Sequence, residues 1–506
     1  MSNSTRVMKN TLSLYVRMII LTLVSLFTVR VNLNSLGAGD YGLYNVVAGF
    51  VSMFAFLSGT LTVASQRFFA IEIGRNDWNE VSKYFSINLF LYIGLCGIVI
   101  LFAETAGLWF VLNKMVIAPE RMSAAVVVYQ FSILNFVIGL VVSPFLALLI
   151  ADENLGIYSI ISIFEAGLKL LVSYLLYVLC GDKLIIYGLL LLVASFFVNG
   201  FYIIYSLIRY KQLKIKFEKD KTLYKEIFSF LNWNIIGAIA TVCKGQGINI
   251  VINLFFGTVI NAARGIAFQI NNVVSSFAVN FMKAIDPQIT KSYAIGDEDK
   301  FFNITCIASK ISFILLFLIA IPLIENMEYI LVLWLKEVPD YTIVFAKLAL
   351  IDALVLAVTD PISTAIQAVG KIKWYQICVS FWTLLNLPLA ILFLNINQNP
   401  LIPFYVAISV SFFISFTRII MFVHITGFSV IKYLRKVIIP ITILTLLVYA
   451  ELSFCTKKAK NFLEFFIISS LIVLGIILQA FLLGTTKNEK NKIIHFLKIR
   501  ISKKNE

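Results

Sequence analysis

Apolar residues run along this chain in blocks of about 20, the length that crosses a bilayer as a helix, and charged or Gly/Pro-rich breaks separate the blocks. The pattern predicts spans near 12–34, 42–66, 85–112, 124–150, 155–180 and 184–208. A second set follows near 228–254, 258–283, 301–324, 340–368, 373–396 and 401–424, and then 434–455 and 461–484. Strict apolar/polar alternation is absent, so helices rather than a membrane barrel are expected. The first run, preceded by Arg6 and Lys9, has no small-x-small cleavage site and reads as an uncleaved first span.

The cations orient these spans. With the N-terminus placed in the cytoplasm, 27 Lys and Arg fall at cytoplasmic ends and 8 at the opposite ends, and the other 7 lie within spans. That asymmetry predicts about 14 transmembrane helices with both termini cytoplasmic. Composition agrees: of 506 residues, 60% are hydrophobic and 14% charged, which leaves no room for a large water-soluble domain. The net charge of +15, a nucleic-acid signal in a soluble protein, here reports topology. Six scattered cysteines and two histidines, His424 and His495, indicate no metal site or disulfide framework.

The expected class is an all-α polytopic membrane protein with two six-helix lobes and two extra C-terminal helices. Helices 1–6 form an N-lobe over 1–210 and helices 7–12 a C-lobe over 228–425, joined by a basic linker at 211–227. Helices 13 and 14 occupy 426–486, and a basic cytoplasmic tail fills 487–506. At an offset of 222 Gln66 falls on Gln288, Ile73 and Gly74 on Ile295 and Gly296, and Asp77 on Asp299. All lie where the second helix of a half enters its loop, as expected for two parallel repeats with a substrate site between them.

Nucleotide-binding signatures are missing. Gly370-Lys371 lacks the upstream glycine and the following Ser/Thr of a phosphate loop, and nucleophile-elbow and H-E-x-x-H motifs are absent too. No cofactor is expected, and the chain reads as a transporter rather than an enzyme. Its candidate chemistry lies in ionisable residues within spans, each costing on the order of 2.5–3.5 kcal/mol to bury. Glu165 and Lys169, four apart on one helical face, are expected to neutralise each other, while Arg17, Lys347 and Arg418 lie near helix ends and can snorkel.

Lys244 in VCKGQGIN and Arg264 in NAARGIAFQINN stand near mid-membrane among small and amide residues and are expected to line a cavity, with Arg30 and Lys310 as further candidates. Such cations attract a diphosphate, which arginine grips at two points and lysine as a point charge. Gln269 and Asn272 are candidates for hydrogen bonds to sugar, and equally for helix-to-helix contacts. Asp352 and Asp360 share a helix eight residues apart, with a bend expected at Pro361. They are candidates for ion coupling, or for pairing with cavity cations.

Three strings carry a resemblance: RVNLNSLGAGDYGLYNVVAGFVSMFAFL at 30–57, SQRFFAIEIGRND at 65–77 and GTVINAARGIAFQINNVVSSFAVNFMKAIDPQITKSYAIGDED at 257–299. They resemble the polysaccharide flippases of O-antigen and capsule export, within the multidrug/oligosaccharidyl-lipid/polysaccharide exporter superfamily. The resemblance implies two lobes around a central cavity, alternating access and an undecaprenyl-diphosphate-linked oligosaccharide as substrate, for lipopolysaccharide or capsule assembly. It also implies that Arg30, Lys244 and Arg264 look onto the cavity and that polysaccharide polymerase and ligase are partners, with no nucleic acid involved. Turnover would draw on a proton or sodium gradient, or on consumption of the product outside. Competing readings are a drug/cation antiporter on the same fold, a membrane polysaccharide polymerase or ligase, and a lipid-binding scaffold.

Overall fold

The computed structural model describes residues 3–55, eight positions between 62 and 75, 77–152, 154–216, 237, 239–454, 459 and 461–482. Of the expected linker only 211–216 falls within these, and the tail 487–506 lies outside the described residues. All regular structure among them is helical. The chain begins with α1 (Asn3–Ser52) and α2 (Trp78–Phe102), which runs through a π-helical turn, Ala103–Gly107, into α3 (Leu108–Asn113). Then come α4 (Met122–Ala151), α5 (Leu155–Val178) and α6 (Lys183–Arg209). A second π-helical turn, Cys243–Gly247, opens α7 (Ile248–Ala294), followed by α8 (Glu298–Glu325) and α9 (Met327–Leu335). The remainder comprises α10 (Thr342–Ala357), α11 (Asp360–Val369), α12 (Ile372–Ile396), α13 (Ile402–Thr426), α14 (Val430–Tyr433), α15 (Ile439–Phe454) and α16 (Phe462–Leu482).

Twelve helical stretches among the described residues are long and apolar enough to cross a membrane. Two of them, Ile19–Ser52 and Ile239–Val279, each contain one non-helical glycine, Gly37 (φ 75°, ψ 167°) and Gly257 (φ 79°, ψ −168°). That conformation is essentially restricted to glycine, so each stretch is two helices meeting at a single residue. The twelve stretches, two of them divided in this way, roughly fit the expected count of about 14.

Gly37 and Gly257 are 220 residues apart. So are Asp77 and Asp297, whose carboxylates cap the N-termini of α2 and α8: Asp77 accepts from Asn79 N and Glu80 N at 3.1 Å, and Asp297 from Lys300 N at 2.9 Å. The structural repeat therefore runs at 220, two residues short of the offset of 222 at which the sequence identities fall. Those identities follow the loop sequence before the cap, and Asp299, the expected partner of Asp77, sits inside the first turn of α8.

The helices sort into two compact units, one of Met1–Ile266 with Glu337–Tyr341 and Thr383–Pro403, the other of Ala267–Lys336, Thr342–Trp382 and Phe404–Glu506. Residues 239–266, which the hydropathy pattern groups with the second half, thus lie in unit 1. In unit 1 the helices pack through interlocking rings, such as Phe85 edge-on to Phe145 at 4.9 Å and Phe50 stacked on Phe110 at 5.5 Å. Polar contacts add to this, because lipid gives helices no hydrophobic drive to associate. Arg121, just before α4, holds two carboxylates in forked pairs: Nε and Nη2 reach Asp40 at 2.9 and 2.6 Å, and Nη1 and Nη2 reach Asp182 at 2.6 and 3.0 Å. These bonds tie α1 to α4 and to the start of α6, where Asp182 also caps Leu184 N and Ile185 N. They hold the Asp182 carboxyl below the usual carboxylate range.

In unit 2 the helix expected over 340–368 is broken after Ala357 and restarts at Asp360-Pro361, so the predicted bend is a full interruption. Proline at the second position of a helix costs no hydrogen bond. Tyr433, fully buried, brings its hydroxyl within 3.1 Å of both the Val358 carbonyl at the break and the Ser309 hydroxyl. The Thr359 hydroxyl donates to Ser415 at 3.1 Å. Irregular backbone at membrane depth persists where protein groups satisfy it in this way. Gly370, whose neighbour Lys371 suggested an incomplete phosphate loop, is the left-handed residue that ends α11 (φ 82°).

Candidate functional site

The π-helical turn Cys243–Gly247 and the part of α7 around Gly257 form a polar packed interface in unit 1. A π-helical turn lengthens the local hydrogen-bond ring and turns carbonyls away from their usual partners. Arg264 uses one of them: its Nη2 donates to Gly245 O at 2.7 Å, while Nη1 donates to Asn249 Oδ1 at 3.3 Å. The guanidinium is only 6% exposed, so in this conformation it grips the turn that carries Lys244, which is itself half-buried. Asn249 Nδ2 in turn donates to Asn45 O on α1 at 3.1 Å. Asn253 binds both backbone groups of Val116, accepting from N at 3.1 Å and donating to O at 3.2 Å.

Glycines let α1 approach this closely. A Cβ on Gly42 would lie 1.8 Å from Thr258 O, one on Gly49 2.7 Å from Gln246 Oε1, and one on Gly265 2.9 Å from Asn45 Nδ2. Gly42 and Gly49, seven residues apart, share one face of α1. The spacing was visible in the sequence, but nothing there named α7 as the partner.

Of the other expected substrate residues, Arg30 is half-buried on α1. In unit 2 Lys310 is buried on α8 at 5% exposure, Gln269 is half-buried on α7, and Asn272 is exposed. The two aspartates expected to couple ions do share a site. A cavity of about 420 Å³ in unit 2 is lined by Asp352 and Asp360 together with Asp286, Asn271, Ser275 and Thr364. Each carboxylate has a partner: Asp352 accepts from the Ser411 hydroxyl, Asp286 from the Thr364 hydroxyl at 3.0 Å, and Asp360 from Arg418 Nη1 at 2.6 Å. Arg418, expected to snorkel, is thus paired, with 13% of its side chain exposed. The Glu165–Lys169 pair forms as expected, at 2.6 Å.

Asp286 escaped the sequence reading. Its signal was the dipeptide Asp286-Pro287, which repeats Asp360-Pro361. Three carboxylates thus line this cavity, one of them paired with a guanidinium. Among the described residues no group of three carboxylate, imidazole or thiolate side chains is close enough to hold a metal ion. Burial pushes the Asp286 carboxyl above the usual range, against the smaller opposing effect of the Thr364 hydroxyl. A raised carboxyl adds stability below its unfolded pKa and loses it as pH rises through the folded value. Asp286→Asn keeps the Thr364 bond without the charge, so the variant is expected to melt at or above the wild-type temperature at neutral pH. The difference should vanish as pH falls to the ordinary carboxylate range, and a pH series of melting curves checks this.

Residues 235–392 match the family model for MatE. Between 82 and 94% of the chain aligns with solved transporters. One is a multidrug resistance MATE family transporter of the MOP superfamily in an inward-facing conformation, at TM-score 0.66, 16% identity, 82% of this chain and 99% of the other. The lipid II flippase MurJ in an inward closed conformation aligns at TM-score 0.69 and 14% identity over 94% of this chain and 98% of the other. The fold is that of the MOP-superfamily transporters. A MOP transporter from Pyrococcus furiosus aligns at TM-score 0.60 and 14% identity, over 83% of this chain and 96% of the other. No curated protein matches at the level of sequence. The chain is a multi-pass membrane protein with the MOP fold, and MurJ accounts for more of its length than either of the other two.

Proposed function

We propose that this protein is a flippase that carries a polyprenyl-diphosphate-linked oligosaccharide from the cytoplasmic to the outer leaflet of a bacterial inner membrane, by alternating access. The observation that carries the reading is an apolar groove of about 720 Å³ in unit 2. Its walls come from α8, α10, α13 and α15, with Phe313, Phe317, Phe412, Phe416, Ile441 and Tyr449 among them. α15 is the first of the two helices beyond the twofold plan. A drug antiporter has no need of an apolar groove reaching that helix, whereas a polyprenyl chain must be accommodated while its headgroup crosses. The likeness to MurJ, a lipid II flippase, supports the same reading through its greater coverage.

In this reading Lys244 and Arg264 attract the diphosphate when the turn at 243–247 opens, and Arg30 and Lys310 are further cations on its route. Gln269 and Asn272 offer amides to sugar hydroxyls. Asp352 and Asp360, joined by Asp286, take up the coupling proton or sodium ion. Both termini face the cytoplasm, and the product passes to polysaccharide polymerase and ligase outside, for O-antigen or capsule. The drug/cation antiporter is the second reading, favoured by the acidic cavity of unit 2 and by the MatE match.

The test is the leaflet distribution of lipid-linked oligosaccharide in cells depleted of the protein, probed on spheroplasts with a membrane-impermeant sugar-modifying reagent. Accumulation of protected inner-leaflet intermediate is expected. Intermediate that instead builds up on the outer leaflet would remove the flippase reading.

A further inference from the structure

Two kinds of contact hold α1 within unit 1. Leu43, Val46, Val47 and Val51 are buried in an apolar cluster whose other buried members come from residues 103–133 and Leu184. Among the described residues that cluster takes no member from 239–266. Toward 239–266 the same helix presents Gly42, Asn45 and Gly49, and the segment answers with backbone and amides.

Asn249 and Asn253, four residues apart on one face of α7, are both buried and each reaches a different element. Asn249 Nδ2 donates to Asn45 O at 3.1 Å. Asn253 accepts from Val116 N at 3.1 Å and donates to Val116 O at 3.2 Å. An asparagine amide has the donor and acceptor of a peptide group, so it pairs with the backbone between α3 and α4 as a neighbouring strand would. Asn261 lies across both. In the amide orientation that satisfies its two polar atoms, its nitrogen donates to Asn249 Oδ1 at 2.8 Å and its oxygen accepts from Asn253 N at 3.1 Å.

The two kinds of contact respond differently to water. Separating apolar side chains costs free energy in proportion to the area exposed, whereas a hydrogen bond between amides exchanges for bonds to water at small net cost. The glycines leave no interlocked side chains at Gly42 and Gly49, so the faces can part there without repacking. We infer that the seam between α1 and α7 is a water-admitting gate and that the Asn253 amide on Val116 is its latch, released and remade while the apolar cluster of α1 stays intact. Val116 and Gly257 lie at helix ends that the cation pattern predicts to be outside, so this is an outer gate. Its part in transport rests on the alternating-access reading above; its existence does not.

The experiment uses the full chain in nanodiscs, with its six cysteines replaced by alanine and Ala262→Cys added as reporter. Ala262 is fully buried, and its N would lie 3.2 Å from a Cβ on Gly42, so a maleimide reaches the thiol only when the seam parts. The labelling rate then follows the open population. Asn253→Ala removes both bonds to Val116 and should speed labelling about tenfold. Asn249→Ala should speed it about threefold and serves if the first variant does not fold, as melting curves report. Two controls should leave the rate unchanged: Phe145→Ala, in the ring-packed core, and Asn113→Ala, whose amide bonds only its own helix at Trp109 O. An unchanged rate in the amide variants that fold would overturn the latch, and so would an equal rise in Phe145→Ala. Labelling of the parent as fast as a cysteine at the exposed Leu254 would overturn the closed gate. No substrate enters the experiment, so failure of the flippase reading would leave each outcome as it stands.

Discussion

Arg264→Ala is expected to reduce export of lipid-linked oligosaccharide to background while the protein still reaches the membrane, with a lower melting temperature. Two effects add. The substitution removes the donor to Gly245 O at 2.7 Å and the contact to Asn249 Oδ1 at 3.3 Å, so the carbonyl of a π-helical turn loses its partner in a buried place. Leaving such groups unsatisfied costs about 1–3 kcal/mol each. The substitution also removes the cation beside Lys244 on which the proposed diphosphate route depends. Arg264→Lys separates the two effects, since lysine keeps the charge but not the planar fork. It should retain partial export and melt between wild type and Arg264→Ala. Export at the wild-type level in Arg264→Ala, measured by the leaflet assay, would eliminate Arg264 from substrate handling.

Gly42→Ala is the second large effect. The added Cβ would meet Thr258 O at 1.8 Å and Ala262 N at 3.2 Å. Both are backbone atoms, so no side chain can swing aside and α1 must move away from α7. Overpacking of this kind costs about 1–3 kcal/mol, and here the upper end is expected because the displacement also strains the Asn249–Asn45 bond and the contacts at Gly49 and Gly265. Cysteines at positions 45 and 249 should cross-link readily in the parent and poorly in Gly42→Ala. Gly94→Ala is the control: a Cβ there meets nothing within 4 Å, and helix propensity favours alanine by about 1 kcal/mol. Equal cross-linking in Gly42→Ala and Gly94→Ala would mean that the close approach at Thr258 does not hold α1 to α7.

Much of the candidate chemistry was legible in part. The pairing of Glu165 with Lys169 follows from helical spacing alone, because both partners sit on one element. The break at Asp360-Pro361 is likewise local, since proline cannot continue the hydrogen-bond ladder of the helix before it. Lys244 and Arg264 were singled out as mid-membrane cations, and the turn that brings them together is a backbone feature no residue count reveals. Arg418 shows the limit of the one-dimensional reading. Near a helix end it looked free to reach the headgroups, yet it meets Asp360 from 58 residues away. Asp286 was missed for a related reason: near the end of its helix it carried no sign of burial, and only the fold sets it beside Thr364.

The amino-acid sequence by itself determined that the chain is a helical membrane protein, roughly how many segments are long enough to cross, and that its halves repeat. Those properties depend on the length of apolar runs, on the φ/ψ freedom of Gly37 and Gly257, and on Asp77 and Asp297 at helix starts, all of which act within a few residues. Tertiary structure alone decided the grip of Arg264 on Gly245. It also decided the forked hold of Arg121 on Asp40 and Asp182. In lipid the hydrophobic effect does not choose which helices touch. That choice falls to close backbone approach at glycines and to polar groups that must find partners, and such partners lie far apart in the chain.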